Sequence, residues 1–234
     1  MNDETITLRA LRRNDYPVIV DMLRRMWYDD PGMSPSYSRR LAMIDLHHSL
    51  DCSDDAVVAQ RNGTVAGIIT TRIDKRKNPS ETGQPYMPRT SGDADGSRSQ
   101  APCRAHRFRW HRLHVIGSAM PLLLSGEGRR GLHEMLSLSR IDARLMHGLR
   151  SRFGAEVTLL LVDDAARGHG VGRALFDHAM SRFRDAGVDR YFLFTDTSCN
   201  VGFYEHRGLA RLRERQTALR GGATETFYLY EGRP

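Results

Sequence analysis

Cysteine is scarce. Cys52, Cys103 and Cys199 are the three thiols among 234 residues, and no C-x-x-C pair occurs. A disulfide framework or a zinc knuckle needs more thiols at closer spacing, so three free thiols are expected. Ten histidines are present, but no H-x-x-x-H puts two of them on one helical face, and no metal is expected. Long apolar runs are missing too: none reaches the roughly 20 residues that cross a bilayer. Met1 to Arg13 is polar and mixed in charge, unlike the basic-then-apolar start of an export signal. The expectation is a soluble, cytoplasmic chain that does not engage a membrane.

Acidic residues are fewer than basic ones, 28 against 35, for a net charge of +7. A basic chain favours polyanionic partners, either nucleic acid or a cofactor bearing several phosphates. The plainer alternative is an arginine-rich surface with no ligand behind it. With 40% hydrophobic residues, the length suits one domain, residues 1–234, with room for a large insertion.

Thr5 to Arg9 alternates as a strand. Asn14-Asp15 and Pro17 open a helix carrying Val18, Met22, Leu23 and Met26 on one face. A second helix is expected over about Ser36 to Leu50. Ala56 to Gln60 and Val65 to Ile73 form a hairpin around Asn62-Gly63. Lys75 to Pro102 is rich in Pro, Ser, Gly and charge, which predicts a mobile loop. Residues 104–150 are expected to be largely helical, interrupted at Pro121 and Gly126 to Gly131. The clearest amphipathic stretch there is Leu132 to Leu149. Val157 to Val162 is apolar throughout, as suits a central strand buried on both faces. A glycine-rich turn and a helix follow, ended by Gly187. Arg190 to Thr195 is a further strand, Val201 to His206 a short helix, and Phe227 to Tyr230 a last strand.

The turn carries the chemistry. In Arg167-Gly168-His169-Gly170-Val171-Gly172, the glycines let backbone N–H groups approach a ligand where a helix begins. Such a turn is an anion site, and Arg167 and Arg173 add charge, so a diphosphate is the natural guest. The spacing is not the G-x-G-x-x-G of a dinucleotide fold, and no Gly-Lys-Ser/Thr of a P-loop is present. A tight strand-to-helix turn without a ligand is the bland alternative.

From Glu156 to Leu212 the sequence resembles the GNAT acetyltransferases. The matching residues are Glu156, Val162, the glycine turn, Leu175, Gly187, Cys199-Asn200, Phe203-Tyr204-Glu205 and Gly208-Leu209. The family pattern Q/R-x-x-G-x-G/A is met by Arg167, Gly170 and Gly172. The resemblance does not cover Lys75 to Arg152, taken as an insertion of residues 75–152. It implies an α/β fold: a mixed, mostly antiparallel sheet flanked by helices, with two parallel strands splaying around the pantetheine arm of acetyl-CoA. Backbone groups of Leu160, Leu161 and Val162 would then pair with that arm. Arg167, Gly168, His169, Gly170, Val171, Gly172 and Arg173 would hold the diphosphate. Asn200 would touch the arm, although many family members carry their Asn three residues earlier, where Thr197 stands here. The implied reaction is direct acetyl transfer to a primary amine, with a homodimer as the analogous assembly.

A protonated amine near pKa 10 needs a base. Glu156 matches the family's base, acting directly or through water, and Asp163 and Asp164 are nearby alternatives that read first as turn residues. Tyr204 matches the acid that protonates the departing thiolate. A strand-end ion pair for Glu156 and a packed core tyrosine are the structural alternatives. Cys199 has no His-Asp partner in sequence and reads as packing. Two other classes stay open: nucleic-acid or ribosome binding through the Arg- and aromatic-rich stretch 104–114, and a non-catalytic acyl-CoA sensor. Neither the acceptor nor the acyl chain length is legible.

Overall fold

Alternating apolar residues put Ile6–Ala10 (β1), Asp55–Arg61 (β2) and Thr64–Ile73 (β3) into an antiparallel meander. The structure is a computed structural model and describes residues 5–29, 32–74, 115, 117–218 and 224–234. Asn62 and Gly63, at φ 51 and 79, make the turn between β2 and β3, the left-handed pair that a tight hairpin requires. Ala155–Val162 (β4) pairs antiparallel with β3 and parallel with Tyr191–Asp196 (β5). Ala210–Ala218 (β6) and Thr224–Gly232 (β7) complete a seven-stranded sheet of order β1-β2-β3-β4-β5-β7-β6. The sheet is mixed and mostly antiparallel, as expected.

Helices cover both faces. On one, Tyr16–Trp27 (α1) and Pro35–Asp51 (α2) bury Ile19, Leu23, Ala42 and Leu46 against Val58, Ile68, Leu159 and Leu161. Gly126–Met146 (α3) extends that face, packing Ile141 and Leu145 on Phe192, Phe227 and Leu229. On the other, Val171–Asp185 (α4) buries Leu175, Phe176, Ala179 and Phe183 against Val57, Val157, Tyr191 and Leu193, and Val201–His206 (α5) adds Tyr204. Among the described residues, no helix is long and apolar enough to cross a membrane.

Two expectations about this frame change. Gly126 to Gly131 does not interrupt the helix but opens it: Ser125 caps α3 by accepting from the Gly128 N–H at 2.9 Å. The glycines there serve close contact. A Cβ on Gly128 would lie 2.4 Å from the Leu122 carbonyl oxygen, and one on Gly131 would lie 2.6 Å from Leu41 of α2. The second change is β6, an unforeseen strand. It lies at the sheet edge, and most of its residues are exposed, including Arg211, Glu214 and Arg215. A charged edge strand needs no apolar face and resists pairing with other chains. The loop expected over 75–102 and the basic stretch 104–114 lie outside the described residues, whereas 117–123 and α3 are helical.

Candidate functional site

β4 and β5 share hydrogen bonds only at their starts. Their register runs Ala155↔Tyr191, Glu156↔Phe192, Val157↔Leu193 and stops, while β4 continues along β3 to Val162. The cause is a bulge. Thr70 opposes Leu159 and Thr71 opposes Val157, which leaves Thr158 as an extra residue on β4. Val157 therefore packs on the α4 side and Leu159, two residues on, packs on the α1/α2 side. The Thr158 hydroxyl is fixed by Thr70 Oγ1 at 2.7 Å and Ser53 Oγ at 2.6 Å. Bulges bend a strand and sharpen its twist, and here β4 swings away from β5 to open a gap.

The phase of β4 decides which backbone groups face that gap. The Asp163 N–H donates to the Ala66 carbonyl at 2.9 Å. By alternation Leu161 also points to β3, and the N–H and C=O of Leu160 and Val162 face the gap. Of the three residues expected to meet a pantetheine arm, Leu161 is thus turned the other way. Its side chain is buried among the α1 and α2 residues.

The glycine turn sits at the mouth of the gap. Asp163 and Asp164 are turn residues, as their sequence suggests. The Asp163 carboxylate accepts from the Ala165 N–H at 3.0 Å and pairs with Arg25 at 2.7 Å. Gly168 and Gly170 take φ of 79 and 81, and Gly170 is the N-cap of α4. With glycine there, no side chain caps the first N–H groups of α4, at the positive end of the helix. Val171 anchors this end in the core. A Cβ on Gly172 would lie 3.5 Å from Val162 Cγ2, so the turn touches the end of β4. Arg167 pairs with Asp164 at 2.9 Å, the His169 ring lies 3.1 Å from Arg61, and Arg173 is exposed.

Across the gap, β5 leads into α5. Asn200 caps α5, its Oδ1 accepting from the Phe203 N–H at 3.3 Å, so a cofactor contact from Asn200 would come from its amide N–H₂. Tyr204 is buried against Phe176, Phe203 and Tyr230. Burial, helped by Cys199 and Asp196, pushes its phenol above the ordinary range and keeps it protonated. Burial likewise raises the Cys199 thiol, with Asp196 adding to the effect. Such a thiol is a poor nucleophile. At the end of β5, Thr195 is buried and its Oγ1 has no hydrogen-bond partner among the described residues.

The opposite mouth of the gap, between α2 and α3, holds charges of both signs. Glu156 is mostly buried and ion-paired with Arg72, with Arg150 at 3.5 Å. Burial raises its pKa more than Arg72 lowers it. His48 of α2 also acts on Glu156, and is itself held protonated above its usual range, chiefly by Cys52, whose Sγ lies 3.8 Å away. Asp45 of α2 accepts from the Tyr28 hydroxyl at 3.1 Å. Asp142 of α3 was not foreseen. It lies on the helix face of Leu138, Leu145 and Met146, which pack on the sheet. Burial, then repulsion from Glu156 and Asp196, pushes its carboxyl up to about 7. A carboxylate flanked at i−4 and i+3 by core leucines is the sequence signal that marks it.

Asp142 yields a stability prediction. Its folded pKa of about 7 exceeds its ordinary 3.8, so the folded state holds the proton longer. Stability then falls as pH rises from 4 toward 7, and the full penalty applies above that. Asp142→Asn is expected to stabilise the fold by about 2–4 kcal/mol at pH 8 and by nothing at pH 4, as read by thermal melts at both values. Equal melting shifts at the two pH values would refute this.

The comparisons with known proteins bear on the same region. Residues 109–209 match the acetyltransferase (GNAT) family, a span that holds β4, the glycine turn, α4, β5 and α5. No curated protein matches the chain in sequence. Solved structures share the fold, among them the following three. A putative phosphinothricin N-acetyltransferase is 15% identical over 98% of both chains, with TM-score 0.51. A ribosomal-protein-alanine N-acetyltransferase from Brucella melitensis is 12% identical over 97% of this chain and 99% of that one, with TM-score 0.51. A polyamine N-acetyltransferase from Drosophila melanogaster, which forms N-acetylagmatine, is 12% identical over 98% and 100%, with TM-score 0.50. At such identities the likeness is one of fold.

Proposed function

We propose, from a chain whose residues 109–209 carry a GNAT acetyltransferase domain, that the protein transfers an acetyl group from acetyl-CoA to an amine that bears a second positive group. The observation that supports this best is the continuity of the gap. Leu160 and Val162 present free backbone groups along it, and it ends at the uncapped head of α4. A pantetheine amide pairs with such a strand edge as an added strand would. A diphosphate suits N–H groups that no side chain caps.

In this reading the donor supplies an activated acyl carbon, and the chain does the rest. Glu156 takes the proton from the acceptor ammonium, directly or through a water, and its raised pKa suits it to that task. The neutral amine attacks the thioester carbon, and the added nitrogen gives up its extra proton to solvent. The C–S bond breaks with its electron pair on sulfur, the Tyr204 phenol donates a proton to that sulfur, and Glu156 passes the proton it took to solvent. The phenol regains its proton from solvent. The acceptor side is lined by Asp45, Asp142, Glu156 and Asp196 in a protein of net charge +7. Arg72, Arg150 and His48 offset Glu156 there, so the attraction for a cationic acceptor rests on Asp142. Asp142, with no ion pair of its own among the described residues, is the group to hold the second charge. Among the described residues no cluster of side chains suits a metal ion.

The test is calorimetric titration with acetyl-CoA, followed by thiol-release assays on alkyl monoamines and diamines of matched length. Acetyl-CoA is expected to bind, diamines to be favoured by at least about 10-fold in kcat/KM, and Asp142→Asn to erase that preference while sparing monoamines. Binding without turnover of any amine would favour the acyl-CoA sensor instead. The nucleic-acid alternative rests on 104–114, outside the described residues.

A further inference from the structure

Thr195 is out of keeping with its surroundings. It shares a face of β5 with Tyr191 and Leu193, which are fully packed in the core, and is itself 8% exposed. The β4–β5 ladder ends at Leu193, so Thr195 stands beyond it, where the strands have parted; on its other side β5 is still paired, Thr195 opposite Tyr228. Its Oγ1 is wholly buried and lacks a hydrogen-bond partner among the described residues. The phenol of Tyr204 and the thiol of Cys199 lie close enough for Thr195 to lower the pKa of each, but outside hydrogen-bonding geometry. A hydroxyl stripped of water and left unbonded costs stability, and valine has the same shape without that cost. A threonine here weakens the empty protein.

We infer that Thr195 is a binding residue for the sulfur end of the donor: its hydroxyl donates to the thioester sulfur, and then to the thiolate, beside the Tyr204 phenol. This rests on the acetyl-CoA reading above. Two buried O–H donors stabilise the charge that gathers on sulfur as the C–S bond breaks. The thiolate then takes its proton from Tyr204, while Thr195 holds the sulfur in line and exchanges no proton. The orphaned hydroxyl gains its partner only when the donor arrives. The cost of leaving it unbonded in the free protein is thus offset in the complex.

Thr195→Val keeps the shape and removes the donor, and Thr195→Ser keeps the donor. Three measurements separate a ligand-binding role from a packing one: the melting temperature without ligand, kcat and KM for acetyl transfer, and the pKa of the enzyme-bound CoA thiol followed by thiolate absorbance. The valine variant is expected to melt at or above the wild type and to bind acetyl-CoA about 5-fold more weakly. It should lose about 10–100-fold in kcat and raise the bound thiol's pKa, with serine restoring both. A valine variant that is stable, fully active and unchanged in thiol pKa overturns the inference and leaves the acetyltransferase reading standing. A wild type that does not bind acetyl-CoA overturns both. A valine variant that loses activity together with melting temperature, with an unshifted thiol pKa, marks Thr195 as packing and likewise overturns it.

Discussion

Gly172→Glu is expected to lose acetyl-CoA affinity by at least about 100-fold and to melt no lower than the wild type. The two halves come from different physics. Gly172 is the second residue of α4 and does not need a left-handed conformation. A Cβ there would meet Val162 at 3.5 Å and Phe203 at 3.9 Å, both ordinary contacts. A Gly inside a helix costs about 1 kcal/mol against a good helix former. A carboxylate in the first turn adds about 0.3–1 kcal/mol through the helix dipole. The fold therefore gains. The new charge, however, sits among the N–H groups that would cradle the diphosphate. At about 5 Å and an effective dielectric of 20–80, each pair of like charges costs roughly 1–3 kcal/mol. Gly170 is the wrong place for this test, because its φ of 81 would strain any side chain and confuse lost binding with lost folding. Calorimetry and a melt on the same sample decide the matter. A folded variant that still binds acetyl-CoA would remove the glycine turn from the site.

Tyr204→Phe is expected to lower kcat by roughly 100-fold, with acetyl-CoA affinity within about threefold of wild type. The ring's packing against Phe176, Phe203 and Tyr230 survives the change, and only the hydroxyl goes. Burial raises the phenol's pKa, so the wild type should show no alkaline fall in kcat across the ordinary tyrosine range near 10. A donor that deprotonated at its usual pH would give one. Stopped-flow rates of thiol release at saturating donor and acceptor test both points. An unchanged kcat in the phenylalanine variant would return Tyr204 to the core.

The unit β4, turn and α4 was legible in the sequence because its signals are local: an apolar run, glycines, then a helical period. The hairpin at Asn62-Gly63 and the order of the first elements were legible for the same reason. The bulge at Thr158 was not, since it exists only in the mismatch of two strands far apart in sequence. It is nevertheless what opens the gap and turns Leu161 away from it. β6 was missed because an edge strand has no buried face to impose alternation. The start of α3 was missed because Gly128 and Gly131 look like breakers until Leu122 and Leu41 are seen pressed against them. Asp142 and Thr195 were missed for a related reason. In sequence they are ordinary polar residues, and only their neighbours make them costly.

The segment between β3 and β4 leaves and returns at residues that are themselves paired: Ile73 opposes Ala155, and the Asp74 N–H donates to the Gly154 carbonyl at 2.8 Å. Its two ends are therefore held together by the sheet itself, and its length adds little to the cost of closing the loop. Evolution can lengthen, shorten or rewrite such a loop without disturbing the strands that frame it. Yet Ile141 and Leu145 of α3 pack on Phe192, Phe227 and Leu229 on its face of the sheet, and α3 carries Asp142. The segment is an annex in topology and a wall in substance, so under the proposed function the part that would meet the acceptor can be exchanged while the part that would hold the donor stays as it is.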